Sequence, residues 1–266
     1  MSTVELRTAD RLRLAARWWS PAEARADRAV VLVHGFTAGK DAPDVELVAL
    51  RLAAADWRVL TFDLRGHGAS EGLCTLGASE RLDVDAAVAA ARVDHELVVV
   101  VGASLGGVAT IDHLAGAPDQ AGPTPTVAPA DAAVVVGTPA WWRVPRSWRG
   151  VLAAALTQTP PGRAFMSRRG GTRVAVRQPR GAPPAERLRA VRCPVAVIHG
   201  LDDRFLPAAA AADLYAATGG PRLLDLVPGM GHGFCPAAVA PVEAAVAWAA
   251  EATGAGEAAA APEAPV

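Results

Sequence analysis

Lysine is almost missing from this 266-residue chain: Lys40 stands alone against 25 arginines. Together with alanine runs such as residues 208–212, this reads as a compositional bias of the source genome, so isolated arginines carry no functional weight and only clusters do. Net charge is small as well. A formal charge of -1 excludes a dedicated nucleic-acid binder, which would be strongly basic. Cys74, Cys193 and Cys235 are the only cysteines, odd in number and without a C-x-x-C spacing, which excludes a disulfide framework and a zinc site. No uncharged apolar run of about 18 residues occurs, so no membrane span is expected. Glu5 and Arg7, with no apolar stretch behind them, do not make a secretory signal. The expectation is a soluble, cytoplasmic protein. What the chain does have is apolar mass: 52% hydrophobic residues against 20% charged suffice for a large core and exclude a disordered or fibrous protein.

Short runs rich in valine and leucine, at residues 30–33, 59–62, 97–101, 134–136 and 195–198, end at glycine or aspartate and suit strands buried on both faces of a parallel sheet. Alanine- and leucine-rich segments of helical length separate them, at about 45–55, 78–92, 105–115, 208–217 and 239–250. Strands alternating with helices predict an α/β domain with a mostly parallel sheet flanked by helices. Residues 4–7 and 12–19 read as an antiparallel hairpin at one edge, and 223–227 as the last strand. Residues 116–131, with four prolines, read as a surface loop. Residues 138–192 separate two strands by far more than a usual crossover and read as an inserted cap, so the body comprises 1–137 and 193–252. Residues 253–266, made of alanine, glycine, glutamate, proline, threonine and valine, read as a disordered tail.

Gly102-Ala103-Ser104-Leu105-Gly106-Gly107 carries the strongest local signal. G-x-S-x-G between a strand and a helix describes a sharp turn that lifts a serine hydroxyl above the sheet. A serine hydroxyl attacks carbonyls only when a base takes its proton. Of six histidines, His232 follows the last predicted strand on a glycine-flanked loop able to reach back over the sheet, and is the candidate base. His34, His67 and His199 sit beside glycine at strand ends, where shaping a loop is the expected role; His95 and His113 read as ordinary structural residues. An acid is needed to orient the imidazole, and Asp202 and Asp203 are adjacent candidates just after a strand.

These motifs resemble the α/β-hydrolase family over nearly the whole chain. His34-Gly35-Phe36, Asp63-Leu64-Arg65-Gly66-His67-Gly68-Ala69-Ser70, the Ser104 turn, and Gly200-x-x-Asp203 with Pro207 followed by His232 occur in the family's order. The resemblance implies an α/β-hydrolase fold with Ser104, Asp203 and His232 as catalytic residues. It favours Asp203 over Asp202 because the family places its acid four residues before the proline. It further implies that the backbone N–H groups of Phe36 and Leu105 form an oxyanion hole, and that the Asp63–Ser70 turn is structural. Within the family the motifs are most similar to small serine esterases, close to the branch of serine aminopeptidases and monoacylglycerol lipases. Serine at the turn argues against dehalogenases, which place aspartate there.

The implied activity is hydrolysis of small-molecule carboxylic esters through an acyl-enzyme on Ser104, with no metal or organic cofactor. A peptidase or amidase, or a monoacylglycerol lipase, would use the same groups; a cofactor-free perhydrolase or a non-catalytic binding protein is a more distant alternative. Trp141 and Trp142, with Trp148, open the cap segment and are candidates to line the substrate pocket. That segment holds twelve arginines and one acid, Glu186, so its +11 faces -12 on the rest of the chain. Two roles are open to it: a basic cap pairing with an acidic body, or a basic surface drawing anionic substrates.

Overall fold

A computed structural model describes residues 1–20, 27–116, 127–142, 148–169, 171–177 and 181–260. Its centre is an eight-stranded sheet: β1 (Ser2–Arg7), β2 (Arg13–Trp19), β3 (Arg28–Val33), β4 (Arg58–Phe62), β5 (Leu97–Ala103), β6 (Ala132–Val136), β7 (Val195–Gly200) and β8 (Arg222–Val227). The strand order is β1-β2-β4-β3-β5-β6-β7-β8. β1 and β2 form the antiparallel edge hairpin, β2 joins β4 antiparallel, and every pairing from β4 to β8 is parallel. The expected α/β fold with a largely parallel sheet is therefore present.

Strand alternation divides the core. Val30, Leu32, Val99 and Val101 face helices α1 (Pro43–Ala54) and α8 (Val239–Ala260). Val31, Val33, Val98 and Val100 face α2 (Arg81–Arg92) and the start of α3 (Leu105–Leu114) on the opposite side. Ile111 of α3 joins α6 (Pro184–Leu188) and α7 (Ala209–Ala217) in a third cluster beneath β6 and β7. Both faces are covered, which is why the strands read as unbroken apolar runs rather than alternating ones.

The order reverses at β3: the chain goes to β4 on one side and then to β5 on the other. Such a switch opens a crevice at the carboxyl ends of the strands, where α/β sheets hold ligands. The loops after β3, β5, β7 and β8 all project from these carboxyl ends.

The inserted segment divides in two. After α4 (Trp148–Gln158) and α5 (Pro160–Arg169), the chain returns along the Asp63–Ser70 turn and the loop behind it. Arg173 accepts from the Cys74 N–H and donates its own N–H to Gly66, both at 2.7 Å, while its guanidinium donates to the carbonyl of Ser70. Beyond Pro183 it is body. α6 buries Ala185 and Leu188 in the third cluster, and Arg187 forms a buried ion pair with Asp112 of α3 at 3.0 Å. Other cap arginines meet main-chain carbonyls: Arg163 donates to Gln158, and Arg192 to Arg189 and Val191.

Two element bounds differ from expectation. α2 starts at Arg81 rather than 78, because the buried Glu80 carboxylate accepts the N–H groups of Thr75 and Gly77 and fixes the preceding residues as a loop. α8 continues to Ala260, so residues 253–260 extend a helix where a tail was expected. Alanine and glutamate are strong helix formers, and the two glycines among them weaken a helix without ending it. Residues 261–266, and 117–126 of the expected surface loop, lie outside the described residues.

Candidate active site

Ser104 sits between β5 and α3 with φ 51° and ψ -110°. A non-glycine residue in that region is strained, at a cost of order 1–3 kcal/mol that the surroundings must offset. Two neighbouring glycines make the turn possible. A Cβ at Gly102 would overlap Thr110 Oγ1, and one at Gly106 would overlap the carbonyl of Val33. The turn is also tied down, since the Ser104 N–H donates to Val136 at 2.9 Å. Sequence thus dictates a tight strand-to-helix turn, and the turn raises the hydroxyl over the sheet.

His232, after β8, approaches from the far side. Its Nε2 lies 3.0 Å from Ser104 Oγ and its Nδ1 lies 2.6 Å from Asp203 Oδ2. A carboxylate can only accept, so Nδ1–H donates to Asp203 and Nε2 is left with its lone pair towards the serine O–H. The other carboxylate oxygen of Asp203 accepts the N–H groups of Phe205 at 2.7 Å and Leu206 at 3.0 Å. Burial alone would raise the Asp203 carboxyl; the His232 contact and these two amides outweigh it and hold the group below the ordinary carboxylate range. Asp202 is exposed, and its N–H donates to Met230. Of the two adjacent carboxylates, the structure brings Asp203 to His232.

The loop after β3 closes the other side. A Cβ on Gly35 would stand 3.5 Å from Ser104 Cβ, so this backbone runs against the serine and sets Phe36 beside it. His34 anchors that loop: its Nε2 accepts the Leu64 N–H at 3.0 Å while Nδ1 donates to Gly35 at 2.8 Å. Burial first, then the neighbouring His67, push this imidazole down to about 3, so it stays neutral. Asp63 joins the same two segments by accepting the N–H groups of Lys40 at 2.7 Å and Ala69 at 3.1 Å. His34 and the 63–70 turn therefore shape the site from behind.

A cavity of about 150 Å³ opens beside Ser104, walled by Phe36, Ala42, Asp44, Val45, Phe234 and His232 among others. Trp141 and Trp142 do not line it. The indole N–H of Trp141 donates to Asp213 of α7, and that of Trp142 to the carbonyl of Gly181, both at 2.8 Å. The Trp148 side chain lies outside the described residues.

Two residues not singled out for the site stand next to it. The Phe205 ring is centred 5.1 Å from the His232 ring and is half exposed. His199, fully buried, places Nε2 3.8 Å from Asp203 Oδ2 and 3.2 Å from the carbonyl of Leu206, bracing the loop that wraps the acid. Neither residue had a sequence signal for this role: His199 lies near the end of β7 and Asp203 on the loop after it, so only the fold of that loop brings them together. Among the described residues no cluster of His, Cys, Asp or Glu has the arrangement of a metal site, and no helix is long and apolar enough to cross a membrane.

Comparison with known proteins places residues 30–248 within a family model described as the alpha/beta hydrolase family. An uncharacterized Mycobacterium tuberculosis protein, Rv2307c, is 28% identical over 232 residues, covering 86% of this chain and 71% of its own. Among solved structures, the Pyrococcus furiosus esterase Pf2001 superposes with a TM-score of 0.70 at 20% identity, covering 95% of this chain and 90% of that one. Esterase RhEst1 from a Rhodococcus species gives 0.64 at 23%, covering 95% and 99%. Est1E from Butyrivibrio proteoclasticus, solved with ferulic acid, gives 0.68 at 17%, covering 94% and 100%. At such identities these structures share the fold.

Proposed function

This chain belongs to the alpha/beta hydrolase family, and from that premise we propose that it is a serine esterase acting on small carboxylic esters. One observation carries the reading: Ser104 Oγ, His232 and Asp203 form a continuous hydrogen-bonded line, 3.0 Å and 2.6 Å long at its two contacts, on a strained turn beside a cavity. Ser104 attacks the ester carbonyl as His232 Nε2 takes its proton. Asp203 holds the tautomer and stabilises the imidazolium. The N–H groups of Phe36 and Leu105 receive the oxyanion, each contributing about 3 kcal/mol at the transition state. His232 then protonates the departing alcohol, and a water deprotonated by His232 releases the acid from Ser104. None of these steps uses a metal or an organic cofactor.

A void of about 150 Å³ beside Ser104 accommodates a group about the size of benzene, which suits a short substrate arm. Amide cleavage on the same groups is an alternative, and paired assays separate the two. Purified protein should hydrolyse p-nitrophenyl butyrate and leave aminoacyl p-nitroanilides untouched, and Ser104→Ala should lower kcat on the ester by at least about 10⁴-fold. Faster turnover of the anilides would make the enzyme a peptidase, and wild-type ester turnover in Ser104→Ala would remove the reading altogether.

A further inference from the structure

Among the described residues, the walls of the cavity beside Ser104 come from 35–45, 103–104 and 232–234. Phe36, Ala42, Val45 and Phe234 make it apolar. Asp44, the second residue of α1, is the exception. It is exposed, and apart from the titratable His232 it is the one lining side chain able to carry charge.

Nearby cations are engaged elsewhere. Arg17 pairs with Asp41 at 2.7 Å and Glu46 at 3.0 Å, and the buried Lys40 ammonium contacts Asp41 and lies 3.7 Å from Asp63. No hydrogen bond or ion pair joins the Asp44 carboxylate to another described residue. A carboxylate at the mouth of an apolar opening draws cations and repels anions.

We infer that the cavity selects esters bearing a compact cation on the arm that enters it, with Asp44 as the counter-ion. This rests on Ser104 cleaving esters. A quaternary ammonium on a two- or three-carbon tether has about the bulk of the benzene-sized space, and its weakly hydrated N-methyl groups, which carry the charge, suit apolar walls with a carboxylate beside them. The cation could reside in the alcohol or in the acid, and a substrate pair for each distinguishes them.

The test uses the full chain at low ionic strength. Acetylthiocholine is compared with its uncharged carbon isostere, and the p-nitrophenyl ester of γ-butyrobetaine with its own isostere. In one pair the cationic ester should show a kcat/KM roughly fivefold higher, the size of a single partly exposed ion pair. Asp44→Asn should bring that ratio to one, and Asp44→Lys should invert it. Because the ratio is taken within each variant, a general loss of activity cancels. No preference in either pair, or a preference that survives Asp44→Asn, overturns the inference. Ser104→Ala reports separately on the underlying reading: if it is inactive on the neutral isosteres while the wild-type ratio is one, only the cation selectivity fails, whereas wild-type turnover by Ser104→Ala removes both.

Discussion

At the scale of single residues, three side chains from distant parts of the chain meet within hydrogen-bond range. Ser104 was legible because Gly102 and Gly106 admit a turn that no Cβ would fit, and His232 because it sits on a glycine-rich loop after the last strand, with Gly229 and Gly233 at positive φ. The choice between Asp202 and Asp203 was not legible from their chemistry, since the side chains are identical and adjacent. What separates them is the loop, which turns Asp203 inward against two amides and leaves Asp202 in solvent. Asp203→Asn should therefore lower kcat about 10⁴-fold by presenting the wrong tautomer of His232 to the serine, while Asp202→Asn stays within about twofold of wild type on p-nitrophenyl butyrate. The reverse ranking would reassign the acid. Asp44 and Phe205 had no sequence signature, because only the closure of separate loops gives them a place at the site.

Among the elements, strands were the most legible, since a segment buried on both faces must be apolar throughout and these runs are. The inserted segment was the least. Its length marked it as a departure from the strand–helix rhythm, but nothing in the sequence showed that its last stretch, α6, belongs to the body. That attachment depends on Arg187 meeting Asp112 of α3 below the surface, both side chains at most 4% exposed. Buried pairs of this kind are costly to break singly because one charge is left without its partner. Arg187→Met should destabilise the protein by about 3–5 kcal/mol in urea unfolding. The double variant Arg187→Met with Asp112→Leu should recover much of that loss. A single variant as stable as wild type would mean that α6 is held by Ala185 and Leu188 alone.

On the scale of the whole molecule, the alternation of apolar runs with helical segments announced the class of fold, a largely parallel sheet with both faces covered. Acid sensitivity follows from the buried histidines. His34 is held neutral in the folded protein, its value pushed down to about 3 by burial and by His67, whereas an unfolded histidine takes a proton near pH 6.5. Between those limits the unfolded chain binds the additional proton, so this contribution is fully present above about pH 6.5 and falls as pH drops, by about 1.4 kcal/mol per pH unit. His67, lowered chiefly by burial, acts in the same direction. Urea unfolding at pH 6.5 and pH 5 should show His34→Asn losing less stability on acidification than wild type by about 2 kcal/mol; equal losses would mean that His34 is protonated in the folded state. The account as a whole depends on one nucleophile, and intact-protein mass spectrometry after treatment with a fluorophosphonate reads it directly. A single adduct per chain, mapped to the peptide containing Ser104 and absent in both Ser104→Ala and His232→Ala, is the predicted result; no adduct, or one that maps elsewhere and persists in Ser104→Ala, would contradict it.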